Sequence, residues 1–236
     1  MSFNFSIMLN SLRVASQYIG TTLFMAIFSL IIGIVFGLGI ALIRFYKVPV
    51  FASFFQILTT ILKGIPIVLI ILSMYLITSR QLDGWAEALG WSLRFRDFNM
   101  VWIAIIALGI LSTINSSEIF RGAFSSIKKG QLDAAKSIGL SSVQTIRRIL
   151  LPQAIPVSLP MFSNLLISLV KASALASMVS VVDVFAAAKI SAQQNYRFLE
   201  AYVAVAIIYW GISLLIEYGT KFLEERMTRK LRRATT

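Results

Sequence analysis

The chain has 236 residues, 58% of them hydrophobic and 14% charged. A soluble domain carries about 25% charged residues, so this composition excludes water as the main solvent and points to the bilayer. Cysteine and histidine are absent, which excludes disulfides, thiol nucleophiles, imidazole bases and Cys/His metal sites. The net charge of +12 is spread between long apolar runs rather than gathered on one patch, which argues for membrane topology and against nucleic acid.

Residues 1–10 carry no Lys or Arg, and the apolar run behind them is long and lacks an A-x-A exit, so a cleaved signal peptide is not expected. A membrane crossing needs about 20 apolar residues. On that measure the sequence predicts an all-α membrane protein, a single domain of five transmembrane helices. Span one covers 14–43 and contains Gly33-x-x-x-Gly37, with Gly39 nearby, a pattern that lets helices approach closely in lipid. Span two covers 48–78, and its Lys63-Gly64-Ile65-Pro66 predicts a broken or kinked helix. Span three covers 98–117, span four 157–182 with Lys171 inside it, and span five 202–216. Trp85, Trp91, Trp102, Tyr202 and Tyr209 fit interfacial anchoring or core filling. The basic stretch 226–233 reads as a cytoplasmic stop in contact with anionic lipid.

Fifteen of the 22 Lys and Arg follow spans one, three and five, against six in the remaining loops. The positive-inside rule then sets the N-terminus outside and the C-terminus in the cytoplasm. Between spans three and four lies a long basic loop, 118–156, that is still patterned. Gln131 to Ile138 reads as a short helix stopped by Gly139. Ser141 or Ser142 caps a second short helix, with Val143, Ile146 and Ile149 or Leu150 on one face, ending before Pro152. Taken alone, such a loop could also lie on anionic lipid as an amphipathic segment.

Asp133-Ala134-Ala135, then Gly139, Ile149 and Leu151-Pro152 keep the spacing of the coupling loop of ABC importer permeases, with Asp where that family usually has Glu. Glu118-Ile119-Phe120-Arg121-Gly122, Leu151-Pro152-Gln153-Ala154, Ile167 to Lys171 and Lys63-Gly64-Ile65-Pro66 resemble elements of the polar amino-acid (His/Glu/Gln/Arg/opine) permease family, over nearly the whole chain. The resemblance implies a type I permease subunit of an ATP-driven amino-acid importer in a bacterial inner membrane, whose Ala134, Ala135 and Gly139 let the loop seat against an ATPase. It implies a second permease chain, identical or closely related, two ATPase subunits and an extracellular substrate-binding protein. No G-x-x-x-x-G-K-[ST] phosphate loop occurs in the chain, so no cofactor is expected in it. The partner ATPase would bind the ATP and Mg, and this chain would be a transport subunit rather than an enzyme.

A charge within a span costs at least about 2.5–3.5 kcal/mol at the helix centre. Two readings of Lys171 are open. It faces a cavity and meets a substrate carboxylate, with Asn164, Ser168 and Ser173 nearby to supply hydrogen bonds; or it pairs with carbonyls, Asp183 or Glu118, or snorkels outward. Asp183 and Glu118 read as ordinary span-end charges. The family's Lys-Asp-Thr-Ser is Lys171-Ala172-Ser173-Ala174 here, which favours cystine or glutamine over cationic amino acids. An ion-coupled secondary transporter and a membrane receptor or scaffold are the alternatives from other classes. The former would more often show internal repeats and intramembrane acids.

Overall fold

The computed structural model describes the backbone of residues 3–235 and the side chains through residue 227. The side chains of Arg229, Lys230, Arg232 and Arg233 in the basic tail lie outside the described residues. The chain folds into ten α-helices with no strand among the described residues. They are α1 (Phe5–Ser16), α2 (Ile19–Phe45), α3 (Phe51–Gly64), α4 (Ile67–Ala88), α5 (Val101–Ser125), α6 (Lys129–Ser137), α7 (Ser142–Thr145), α8 (Leu151–Ala172), α9 (Val184–Gln193) and α10 (Phe198–Thr235). Five helical runs are long and apolar enough to cross a membrane: 19–45, 67–88, 101–125, 142–179 and 198–227. The expected count of five agrees with that number.

Several boundaries differ from the expected spans. The first apolar run is split at Gln17-Tyr18, so span one is α2 alone and begins at 19 rather than 14. α1 is a separate helix whose Asn4 side chain caps the N–H groups of Ser6 and Ile7 and whose Met8, Ser11 and Ala15 are buried. The second region breaks where expected: α3 stops at Gly64, Ile65 is extended, and α4 starts after Pro66. Proline has no N–H to continue the ladder and disfavours helical backbone in the residue before it. α5 runs two turns beyond 117, because Phe120, Ala123 and Phe124 repeat at helical spacing and pack with Ala41, Leu150 and Ala154. α10 extends well past the expected end at 216.

The second loop helix does not stop before Pro152. α7 passes through a π turn, Ile146–Leu150, directly into α8, and Pro152, which has no N–H to continue the ladder, lies just past that turn. The loop outside regular helix is therefore much shorter than 118–156. At its far end α8 tightens into a 3₁₀ helix, Ser173–Val179, and Ser180 turns the chain in a left-handed conformation.

The core seam is α2 against α5. Gly33 and Gly37 face Ser112 and Ser116, and a Cβ placed on Gly37 would lie 2.6 Å from Ser116 Cβ. Both glycines pair with residues of rising number, so the two helices run parallel, with Ser29 donating to the Ile105 carbonyl at 3.0 Å. The Ser112 and Ser116 hydroxyls are buried without a hydrogen-bond partner in the described structure. Small volume, not polarity, suits them to a seam where lipid supplies no hydrophobic drive and close packing must hold the helices together.

Candidate functional site

The α6–α7 elbow is built from backbone chemistry. Gly139 sits at φ +77°, its N–H donates to the Lys136 carbonyl, and the Leu140 N–H reaches the Ala135 carbonyl at 3.0 Å. This is a Schellman closure, which calls for a left-handed residue just past the helix and favours glycine there. Ser141 then caps α7: its hydroxyl accepts from the Gln144 N–H while the Gln144 side chain accepts from the Ser141 N–H, a reciprocal capping box. The elbow predicted from Gly139 and Ser141 is present at those residues.

What the elbow shows to solvent differs from expectation. Ala135 is buried and turned toward the chain's own bundle, so only Ala134 of the alanine pair is presented outward, with Asp133. Ile149 and Leu151 are half-buried and Pro152 is exposed. The large apolar side chains on the surface are Ile138, 75% exposed, and Val143, 72% exposed. The spacing puts Val143 on one face with Ile146 and Ile149 or Leu150, but the intervening π turn accommodates extra backbone per turn and leaves Val143 exposed while Leu150 is buried. Gln153 in α8 donates to the Gln131 side chain in α6 at 2.7 Å, tying the elbow to span four. Its place in the Leu-Pro-Gln-Ala run was the only sequence sign of that role.

A second cluster surrounds Glu118, which is not an ordinary span-end charge. Arg44 from the end of α2 donates to its carboxylate at 2.6 Å, Arg121 one turn along α5 at 2.8 Å, and Lys63 beside the α3–α4 break lies 3.4 Å away. Three cations gathered on one carboxylate join the ends of α2 and α3 to α5. The i,i+3 spacing of Glu118 and Arg121 was the only local signal.

The span-four candidates divide. Val157, Met161, Asn164, Ser168 and Lys171 recur at intervals of four and three residues and form one exposed stripe along α8. Lys171 has no ion pair among the described residues, and the acids proposed as its partners are engaged elsewhere. Ser173 is off the stripe and buried, donating to the Val170 carbonyl at 2.9 Å and the Asp183 carboxylate at 3.4 Å. Asp183 also accepts from the Ala186 N–H at 2.9 Å and the Tyr209 hydroxyl at 3.2 Å. Burial pushes the Asp183 carboxyl above the usual carboxylate range, against the lowering effect of those hydrogen bonds. Ser173 thus belongs to a junction of α8, α9 and α10, and Asn164, Ser168 and Lys171 remain together. No group of three or more metal-ligating side chains occurs among the described residues.

Residues 29–229 match the family of binding-protein-dependent transport system inner membrane components. The chain belongs to that family. This permease is 31% identical to a probable amino-acid ABC transporter permease, PatM of Vibrio harveyi, over 97% of its own length and 98% of the relative's. It is 33% identical to a probable amino-acid ABC transporter permease, YckA of Bacillus subtilis, over 95% and 93% of the two chains. Among solved structures it superimposes with a TM-score of 0.78, at 25% identity, on an amino acid ABC transporter crystallised with histidines, over 96% of this permease and all of that chain. The MetNI methionine ABC transporter, in an inward-facing conformation, shares the fold at a TM-score of 0.72 and 20% identity. These relatives and neighbours are ABC transporters, and the ion-coupled alternative is set aside.

Proposed function

We propose that this permease is one of two membrane subunits in an ATP-driven amino-acid importer of a bacterial inner membrane, with its N-terminus outside and its C-terminus in the cytoplasm. Its full-length likeness to amino-acid ABC permeases carries the reading. In that assembly the α6–α7 elbow docks on a partner ATPase through Ala134, Ile138 and Val143. The ATPase holds ATP and Mg, a second permease chain faces the first, and an extracellular binding protein delivers substrate. Gln153 and the unbroken α7–α8 path carry elbow displacement into span four.

On the transport side, Lys171 offers an uncommitted ammonium to a substrate carboxylate, with Asn164 and Ser168 along the same stripe. Relatives include an L-cystine permease, TcyL of Bacillus subtilis, at 28% identity, and a probable glutamine permease, GlnP of the same organism, at 31%. With Ala172 beside the lysine, polar or sulfur-containing zwitterionic amino acids suit the stripe better than cationic ones. The test is ATP hydrolysis by the permease reconstituted with its co-expressed ATPase in lipid nanodiscs, with binding proteins loaded with cystine, glutamine or arginine. Stimulation by a loaded binding protein is expected, larger for cystine or glutamine. An ATPase that neither copurifies nor responds would overturn the reading.

A further inference from the structure

α2 ends in the same closure as α6, with a lysine where glycine is usual. The Lys47 N–H donates to the Arg44 carbonyl at 3.3 Å and the Val48 N–H to the Ile43 carbonyl at 3.1 Å, which places Lys47 at φ +52°. Three residues later Val50 is held at φ +66°, uncommon for any side chain and most strained for a β-branched one. The elbow therefore holds two residues in disfavoured backbone, one of them a cation that glycine would replace without strain.

This elbow roofs a cavity of about 720 Å³ whose lining includes Arg44, Lys47 and Arg121, with Ser53, Gln56 and Ser125 as hydrogen-bonding neighbours. That volume is in the range of ligand pockets, about 300–1,000 Å³. The cavity wall contains three cations and no carboxylate. Glu118 stands behind it and engages two of them, and with Lys63 also on that carboxylate the surroundings remain strongly cationic. Ser53 and Gln56 also line a second cavity of about 380 Å³ that continues up α3 past Ile57, Thr60 and Ile61. A charged chamber at the helix end, opening into a mostly apolar channel along a membrane helix, has the polarity of a phospholipid.

We propose that the cavity beneath the α2–α3 elbow binds the phosphate of an anionic phospholipid, with one acyl chain laid along α3. Arg44 and Arg121 each keep N–H groups that Glu118 does not take, which can donate to phosphate oxygens, and Lys47 adds a point charge. Basic pockets between membrane helices take lipid headgroups on these terms. The site adds a bound lipid to the permease and is independent of which solute it carries.

The full-length chain, purified in detergent, is titrated with phosphatidylglycerol and with phosphatidylcholine of identical acyl chains, and the lipid-bound fraction is read by native mass spectrometry. Phosphatidylglycerol is expected to bind preferentially, and the double variant Lys47→Asn, Arg121→Gln is expected to weaken it about thirtyfold. Asparagine tolerates the left-handed backbone at 47, and Lys47→Asn alone, with an expected loss of about fivefold, serves if the double variant does not fold. Lys189→Gln removes one charge from an exposed position of the largely buried α9, outside the cavity, and should leave binding unchanged. Equal binding of the two lipids, or equal losses for Lys189→Gln and the cavity variants, would overturn the site. Displacement of the lipid by millimolar inorganic phosphate would reassign it to a free anion and overturn the lipid assignment.

Discussion

Two helices in this permease, α2 and α6, end in the same hydrogen-bonded closure with different residues at the left-handed position. At Gly139 the closure is unstrained, and the side chains beside it, Ile138 and Val143, stand free. At Lys47 the closure is strained and the left-handed residue itself lines a cavity. The contrast separates two uses of one turn. In the proposed docking of the α6–α7 elbow, glycine makes the turn and its apolar neighbours do the binding. In the proposed lipid site, a charged side chain at the corner offsets part of its conformational cost through the phosphate it binds.

The largest expected effect comes from forcing a side chain onto the unstrained closure. Gly139→Leu should cost about 1–2 kcal/mol, lower the thermal unfolding midpoint by a few degrees and abolish permease-dependent stimulation of the ATPase, while the chain still inserts. Retained stimulation would show that the elbow's shape does not matter to coupling. Ile138→Ala and Val143→Ala come next. Each should weaken capture of the ATPase about tenfold, measured by titrating the detergent-purified partner, with no change in the permease's own melting, since truncating exposed side chains costs a fold little. Lys47→Gly sharpens the comparison from the other side: relieving the left-handed strain should stabilise the chain by about 1 kcal/mol in thermal unfolding, while its preference for phosphatidylglycerol falls. A loss of stability would mean that the ammonium holds the elbow together rather than serving a ligand. The smallest effect is expected for Gln153→Ala, which removes the hydrogen bond to Gln131 and a second to the Ile149 carbonyl, each worth up to about 1 kcal/mol, and should reduce stimulation partially without affecting ATPase capture.

Much of this was legible in the residues because it rests on local rules. Gly139 and Ser141 declare a stop and a start, Gly64-x-Pro66 a break, and five apolar runs a membrane bundle. Gly33 and Gly37 forecast a close seam, and they form one. Features set by three-dimensional phase were not legible. No residue type announces the π turn that turns Val143 outward while Leu150 turns in. Ala135 and Ala134 look alike in sequence, and which of them is buried depends on where Leu132 meets α5 and α8. That Ser173 falls off the Lys171 stripe was legible, since positions i and i+2 do not share a helix face, but its bond to Asp183 was not. The lysine at the α2 corner gave no sign either, because the usual marker for that conformation is a glycine.

The parallel seam of α2 and α5 also bears on how the chain is made. Ser29 and the carbonyl that accepts its hydrogen bond are 76 residues apart, and at translation rates of about 5–20 residues per second the second helix follows the first by roughly 4–15 s. During that interval the glycine face of α2 has no lasting partner, while α3 and α4 are already being delivered to the bilayer. Biogenesis of the permease therefore includes a waiting period in which a sticky, small-residue surface is open to any passing helix, and a membrane-insertion chaperone that shields it would act before residue 125 emerges.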